Sequence, residues 1–232
     1  MITLTAEIKV KGKNPYPFKI GETPIGTLSM FGESVNAQVD LNKRNTISIE
    51  SKTEDRGDIT VPSYGIVSNG GSLSFKDNKQ RFLNYADAGV LADGQEIKIF
   101  VENKQKKAKQ QVGVYYSTDW DYDNNNRAVS VSFKDRLEEW QEIYIDEIPL
   151  SSSSEKLNMY HFFNILREKA ESRGFVFLVD DSAIESMSKT EGETLYMEKG
   201  TLWGNFSKIC EICSLYIYQN RDGKVFVFSD LS

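Results

Sequence analysis

The chain has 232 residues, 39% of them hydrophobic and 27% charged, a balance that excludes disordered and fibrous classes and suits about two folded domains. A net charge of −6 and a pI near 5.1 leave the surface without general attraction for phosphate, so nucleic-acid reading has no electrostatic support. Two cysteines are too few for a disulfide framework, no run approaches the ~20 apolar residues of a membrane span, and the amino terminus lacks the apolar core of a signal peptide; the expectation is a soluble protein made in a cytoplasm.

Ile2, Leu4, Ala6, Ile8 and Val10 alternate with Thr3, Thr5, Glu7 and Lys9, the period of a strand with one buried face. The alternation returns at Val35, Ala37, Val39 and Leu41, at Ile47 and Ile49, at Ile97, Ile99 and Val101, at Val112, Val114 and Tyr116, and at Val129, Val131 and Phe133. Turn chemistry separates these runs at Gly12, Pro15, Pro17, Gly21, Pro24, Asn69-Gly70-Gly71 and Asn124-Asn125-Asn126. The dense basic run Lys104, Lys106, Lys107 and Lys109, in ENKQKKAKQQ, reads as a solvated hairpin loop. Residues 1–150 are therefore expected to form a mainly antiparallel β sandwich or barrel.

The serines at 151–154 mark a boundary, after which residues 155–232 read as an α+β domain. Leu157, Tyr160, His161 and Leu166 follow helical spacing up to Gly174. Residues 175–179 read as a short buried strand and residues 180–193 as polar and irregular. Thr201 is the expected N-cap of a second helix whose buried-face spacing takes in Leu202, Phe206, Ile209, Cys210, Cys213 and Ile217, with its end near Ser214. A hairpin closes the chain around Asn220-Arg221-Asp222-Gly223. The fold class is thus α+β, an N-terminal sheet domain followed by a helix-and-hairpin domain.

No residue is expected to be catalytic. A hydrolase needs a base beside its nucleophile, and the one histidine, His161, sits in a helical pattern beside Phe162 and Phe163. Cys210-x-x-Cys213 lacks two further zinc ligands and lies late on an apolar helix face, the place of small core residues. Asp119, Asp121 and Asp123 in TDWDYDNNN have the opening spacing of a calcium loop, but Asn124 stands where that loop needs glycine and Ser130 where it needs glutamate. No metal or cofactor is expected. The same segment, as a strand, places Trp120 and Tyr122 on one face and the three aspartates on the other. Trp120 and Tyr122 with Asp119, Asp121 and Asp123 are the candidate surface for an alternative reading, carbohydrate binding and host attachment. Tyr115, Tyr116 and Trp140 are expected as core or interface anchors. The acidic stretch DRLEEWQEIYIDEI, with Glu138, Glu139, Glu142, Asp146 and Glu147, reads as a solvated face, since adjacency does not set the carboxylate separation a glycosidase needs.

Three stretches taken together resemble the hub proteins of phage tails and related injection machines. They are SYGIVSNGGSLSFKDNKQRFLNYADAGVLADGQEIKIFVEN, then VGVYYSTDWDYDNNNRAVSVSFKDRLEEWQEIYI with Trp120, Tyr122, Asp123, Asn125, Asp135 and Leu137, then TLWGNFSKICEICSLYIYQNRDGKVFVF with Tyr218, Asp222, Gly223, Lys224, Val225 and Val227. The resemblance covers about residues 55–228. It implies a tube-like β domain that assembles with copies of itself as a trimeric or hexameric ring, together with an α+β domain. It also implies a place in the virion tail, as a tail-tip or baseplate hub, with tube, distal-tail and tape-measure proteins as partners. Hubs of this family continue beyond the hairpin, so the chain is expected to be a split hub or part of a longer one.

Overall fold

The structure, a computed structural model, describes residues 2–10, 35–41, 46–53, 64–78, 80, 82–83, 93–103, 105–145, 158–190 and 199–229. The chain divides into two compact units, Met1–Glu50 with Gly70–Lys134 and Ser51–Asn69 with Asp135–Ser232. The serine run read as a boundary, the turn residues Gly12, Pro15, Pro17, Gly21 and Pro24, and Lys104, Asp146 and Glu147 lie outside the described residues.

The first unit is built from β1 (Ile2–Val10), β2 (Val35–Leu41), β3 (Thr46–Thr53), β4 (Gly65–Lys76), β5 (Glu96–Asn103), β6 (Ala108–Asp123) and β7 (Ala128–Lys134). Its strands run β2-β1-β5-β6-β7-β4, each neighbour antiparallel to the next, and β3 also pairs with β4. The expected closure into a sandwich or barrel is not among the described pairings. Every second side chain enters one core: Ala6 and Ile8, Leu73 and Phe75, Ile97 and Ile99, and Val129, Val131 and Phe133.

Strand β6 breaks the simple alternation twice. Its register against β5 shifts between the pairs Ile99↔Gly113 and Phe100↔Gln111, and against β7 between Ser117↔Phe133 and Asp119↔Ser132. Each extra residue moves the inward set by one position. Tyr115, not the expected Tyr116, therefore joins the core, and beyond the second shift Trp120 and Tyr122 return to the same core side. Gly113 is required here, because a Cβ at this position would lie 2.6 Å from the hydroxyl of the buried Tyr115.

The second unit contains a 3₁₀ helix (Arg136–Gln141), β8 (Tyr144–Ile145), α1 (Met159–Glu171), β9 (Phe177–Val179), α2 (Asp181–Lys189), β10 (Gly200–Thr201), α3 (Leu202–Cys213), β11 (Leu215–Gln219) and β12 (Val225–Ser229). β11 and β12 form the expected hairpin, β9 joins β12 in parallel, and the start of β4 joins β11 in parallel at Ile66↔Ile217. Asn220 Oδ1 closes the hairpin by accepting from the amides of Asp222 and Lys224, each at 3.0 Å, and Gly223 supplies the left-handed φ of +80°. Thr201 caps α3 as expected, its hydroxyl oxygen accepting from Gly204 N at 3.1 Å.

Within the stretch expected to be irregular, residues 181–189 form α2 instead, and residues 191–193 lie outside the described residues. Asp180 caps that helix by accepting from Ser182 N at 3.0 Å, and Ala183 and Met187, four residues apart, are its buried face. Three apolar residues, Ala183, Ile184 and Met187, in a short serine-rich run are too few for a sustained periodic signal. The unit's centre is aromatic: Trp140 is fully buried, with ring centroids 4.6 Å from Phe206, 5.5 Å from Phe175 and 5.9 Å from Phe177.

Candidate interaction surfaces and a buried carboxylate

The candidate surface on TDWDYD is split by strand geometry, as the alternation predicts. Trp120 and Tyr122 are half-buried against the first unit's core, Trp120 stacking on Phe82 at 6.1 Å, while Asp119 and Asp121 are exposed on the reverse face. The five residues therefore do not share one face. Across the strands Asp119 lies opposite Ser132 and Ser132 opposite Ser72, and Asp121 opposite Ser130 and Ser130 opposite Ser74. The result is an outer surface of short polar side chains.

Asp123 is committed to the turn that follows. Its Oδ1 accepts from Asn125 N at 2.9 Å and Asn126 N at 3.0 Å, and its Oδ2 accepts from Asn126 Nδ2 at 2.7 Å. These bonds, the Asn126 backbone amide foremost, hold its carboxyl below the usual carboxylate range. Among the described residues no group of three or more His, Cys, Asp or Glu side chains is disposed to hold a metal ion.

The other candidates occupy ordinary structural places. His161 is exposed on α1, with its backbone N–H donated to the capping Asn158 Oδ1 at 3.1 Å. Cys210 and Cys213 are both buried free thiols, and burial pushes the Cys213 thiol up, away from the reactive thiolate. Lys109 sits on β6, paired with Glu7 and lying 4.1 Å over the Phe100 ring, while Lys106 and Lys107 form the exposed turn between β5 and β6.

One site residue was not legible as such. Asp135, expected within a solvated acidic face, is 1% exposed. It caps the 3₁₀ helix through Leu137 N at 3.1 Å, and its Oδ2 accepts from Asn69 N on β4 at 2.5 Å. Its own amide donates to Asn69 O at 2.7 Å, so the two residues are joined in both directions. Beside it Ser68 Oγ donates to Glu138 Oε1 at 3.3 Å. Burial, with the Glu138 charge adding to it, raises the Asp135 carboxyl to about 7, against the opposing pull of the Asn69 and Leu137 amides. Trp140, in the same acidic stretch, is also interior. The sequence signal for both was the spacing Asp135, Leu137, Trp140, which places a cap before two buried residues of a short helix.

In the second unit, the side of the hairpin facing away from the core carries a cross-strand aromatic ladder. Tyr216 stacks on Phe228 at 5.1 Å and Tyr218 lies 5.4 Å from Phe226, with Leu178 of β9 beside them in register with Phe226. Val176 and Leu178 are 52% and 39% exposed.

No family model matches the sequence, and no curated protein matches it either. Solved structures do match the fold. The 43 kDa tail protein of prophage MuSo2 from Shewanella oneidensis aligns with 99% of this chain and 56% of its own, at a TM-score of 0.50 and 10% identity. The tail protein from Neisseria meningitidis MC58 aligns with 97% of this chain and 50% of its own, at a TM-score of 0.52 and 10% identity. The chain thus spans about half the length of these two tail proteins.

Proposed function

We propose that this chain is a structural subunit of a phage-like tail, a ring-forming hub at the tail tip or baseplate that continues the tube and anchors neighbouring tail proteins. The observation that carries the reading is the fold shared with two tail proteins over 97% or more of this chain. The function resides in subunit contacts, and no residue performs covalent chemistry. Physical sense follows from the first unit, where β2 ends the described strand path; an end strand of an antiparallel sheet is what a neighbouring copy can complete, and one repeated heterologous contact closes a ring.

The carbohydrate-attachment alternative draws less support, because Trp120 and Tyr122 turn toward the core while Asp119 and Asp121 turn away from it. Light scattering after size exclusion, with electron microscopy of the same fractions, tests the proposal. A closed ring of three or six copies is expected. A monomer at every concentration overturns it, and glycan binding lost in Trp120→Ala establishes the alternative.

A further inference from the structure

We propose that Asp135 is a proton-operated clasp in the second unit, holding β4 residues 68–69 to the start of the 3₁₀ helix more tightly in mild acid than at neutral pH. Among the described residues the carboxylate is enclosed without a paired counter-charge. The side chain is 1% exposed and its oxygens take the amides of Asn69 and Leu137. A buried charge is stabilised by a partner of opposite sign, and here the neighbouring titratable group is the acidic Glu138.

Arg136, the next residue, is engaged elsewhere. Arg136 directs its guanidinium to the carbonyls of Gly174 at 3.1 Å and Arg173 at 2.6 Å and to Glu139 at 3.2 Å, over the Phe175 ring. From β4 the facing groups are Ser68 and Asn69, neither of them ionisable, and from β11 Gln219 accepts from Arg136 N at 3.1 Å. Lys134, the residue before Asp135, is the last of β7, and side chains of successive extended residues point to opposite sides. Proton uptake by Asp135 removes the buried charge and its repulsion with Glu138, while both oxygens can still accept the two amides.

The sign follows from linkage. With the folded carboxyl at about 7 and the unfolded one near its ordinary 3.8, the stabilisation is fully present below 3.8 and is lost as the pH rises through about 7. Asp123, Asp180 and Glu185 are lowered in the fold, so they act in the opposite direction and at lower pH, as acid removes their charge. The two effects occupy separate pH windows.

The test is a ¹³C NMR titration of the aspartate side-chain carboxyls in the full chain, paired with amide exchange of Asn69 and Leu137 corrected for intrinsic rates. An Asp135 midpoint above 6 and protection roughly tenfold or more greater at pH 5 than at pH 8 are expected, since each unit of pKa difference is worth about a factor of ten. A midpoint near 4, or protection unchanged between those pH values, overturns the proposal. Asp135→Asn should abolish the pH dependence of protection, and its persistence in that variant overturns the assignment to Asp135. If that variant does not fold, the wild-type titration still decides, and Glu138→Gln should move the midpoint down; a midpoint unmoved or raised there overturns the pairing with Glu138.

Discussion

The two units bury apolar surface by different routes. In the first, the core is one face of an antiparallel sheet, assembled from strands whose side chains alternate in and out, so each strand contributes a short apolar row such as Val129, Val131 and Phe133. In the second, a few large rings from separate segments converge: Trp140 from the 3₁₀ helix, Phe163 from α1, Phe177 from β9 and Phe206 from α3. A core made of rows distributes its stabilisation over many modest side chains. A core made of converging rings concentrates it in side chains whose loss no neighbour can fill.

The largest effect should therefore come from Trp140→Ala, which is expected to destabilise the second unit by about 3–5 kcal/mol. Amide exchange should show protection lost in α1 and α3 while β5 and β7 keep theirs; equal loss in both units would break the distinction drawn here. Trp140 Nε1 is buried with no hydrogen-bond partner among the described residues, so Trp140→Phe should cost much less than the alanine variant. A change of the opposite kind, Gly113→Ala, sharpens the contrast from the first unit. It forces a Cβ against the buried Tyr115 ring and should cost about 1–3 kcal/mol by denaturant midpoint, with partial rescue by Tyr115→Ala. Thr201→Ala removes the cap of α3 and should cost about 1 kcal/mol, read as faster amide exchange at Gly204. Smallest of all, Asp119→Asn and Asp121→Asn on the exposed face of β6 should shift stability by no more than about 0.5 kcal/mol, measured by the same midpoint.

Much of this architecture was legible in particular residues. The alternating runs named the first unit's core at Ala6, Ile8, Ile97, Ile99, Val129, Val131 and Phe133, because a strand with one buried face leaves a period of two in the sequence. Thr201, Cys210, Cys213 and the Asp222-Gly223 turn were read correctly for similar local reasons: a cap, a helix face and a positive φ are each determined within a few residues. The division of that segment was legible in the same way, as alternation by itself separates Trp120 and Tyr122 from Asp119 and Asp121.

What the sequence left open required the folded chain. The two register shifts in β6 depend on how β5 and β7 align beside it, and no local signal told Tyr115 from Tyr116 as the inward ring. Helix α2 is held by two buried contacts and a cap, too little to stand out in a polar run. Asp135 is the clearest case. Its sequence neighbourhood is acidic and reads as solvated, and burial became evident only when Asn69, 66 residues away, was found donating to its carboxylate. Periodicity and caps are local physics and survive in the sequence, whereas the dielectric around a charged group is set by whichever distant segments enclose it.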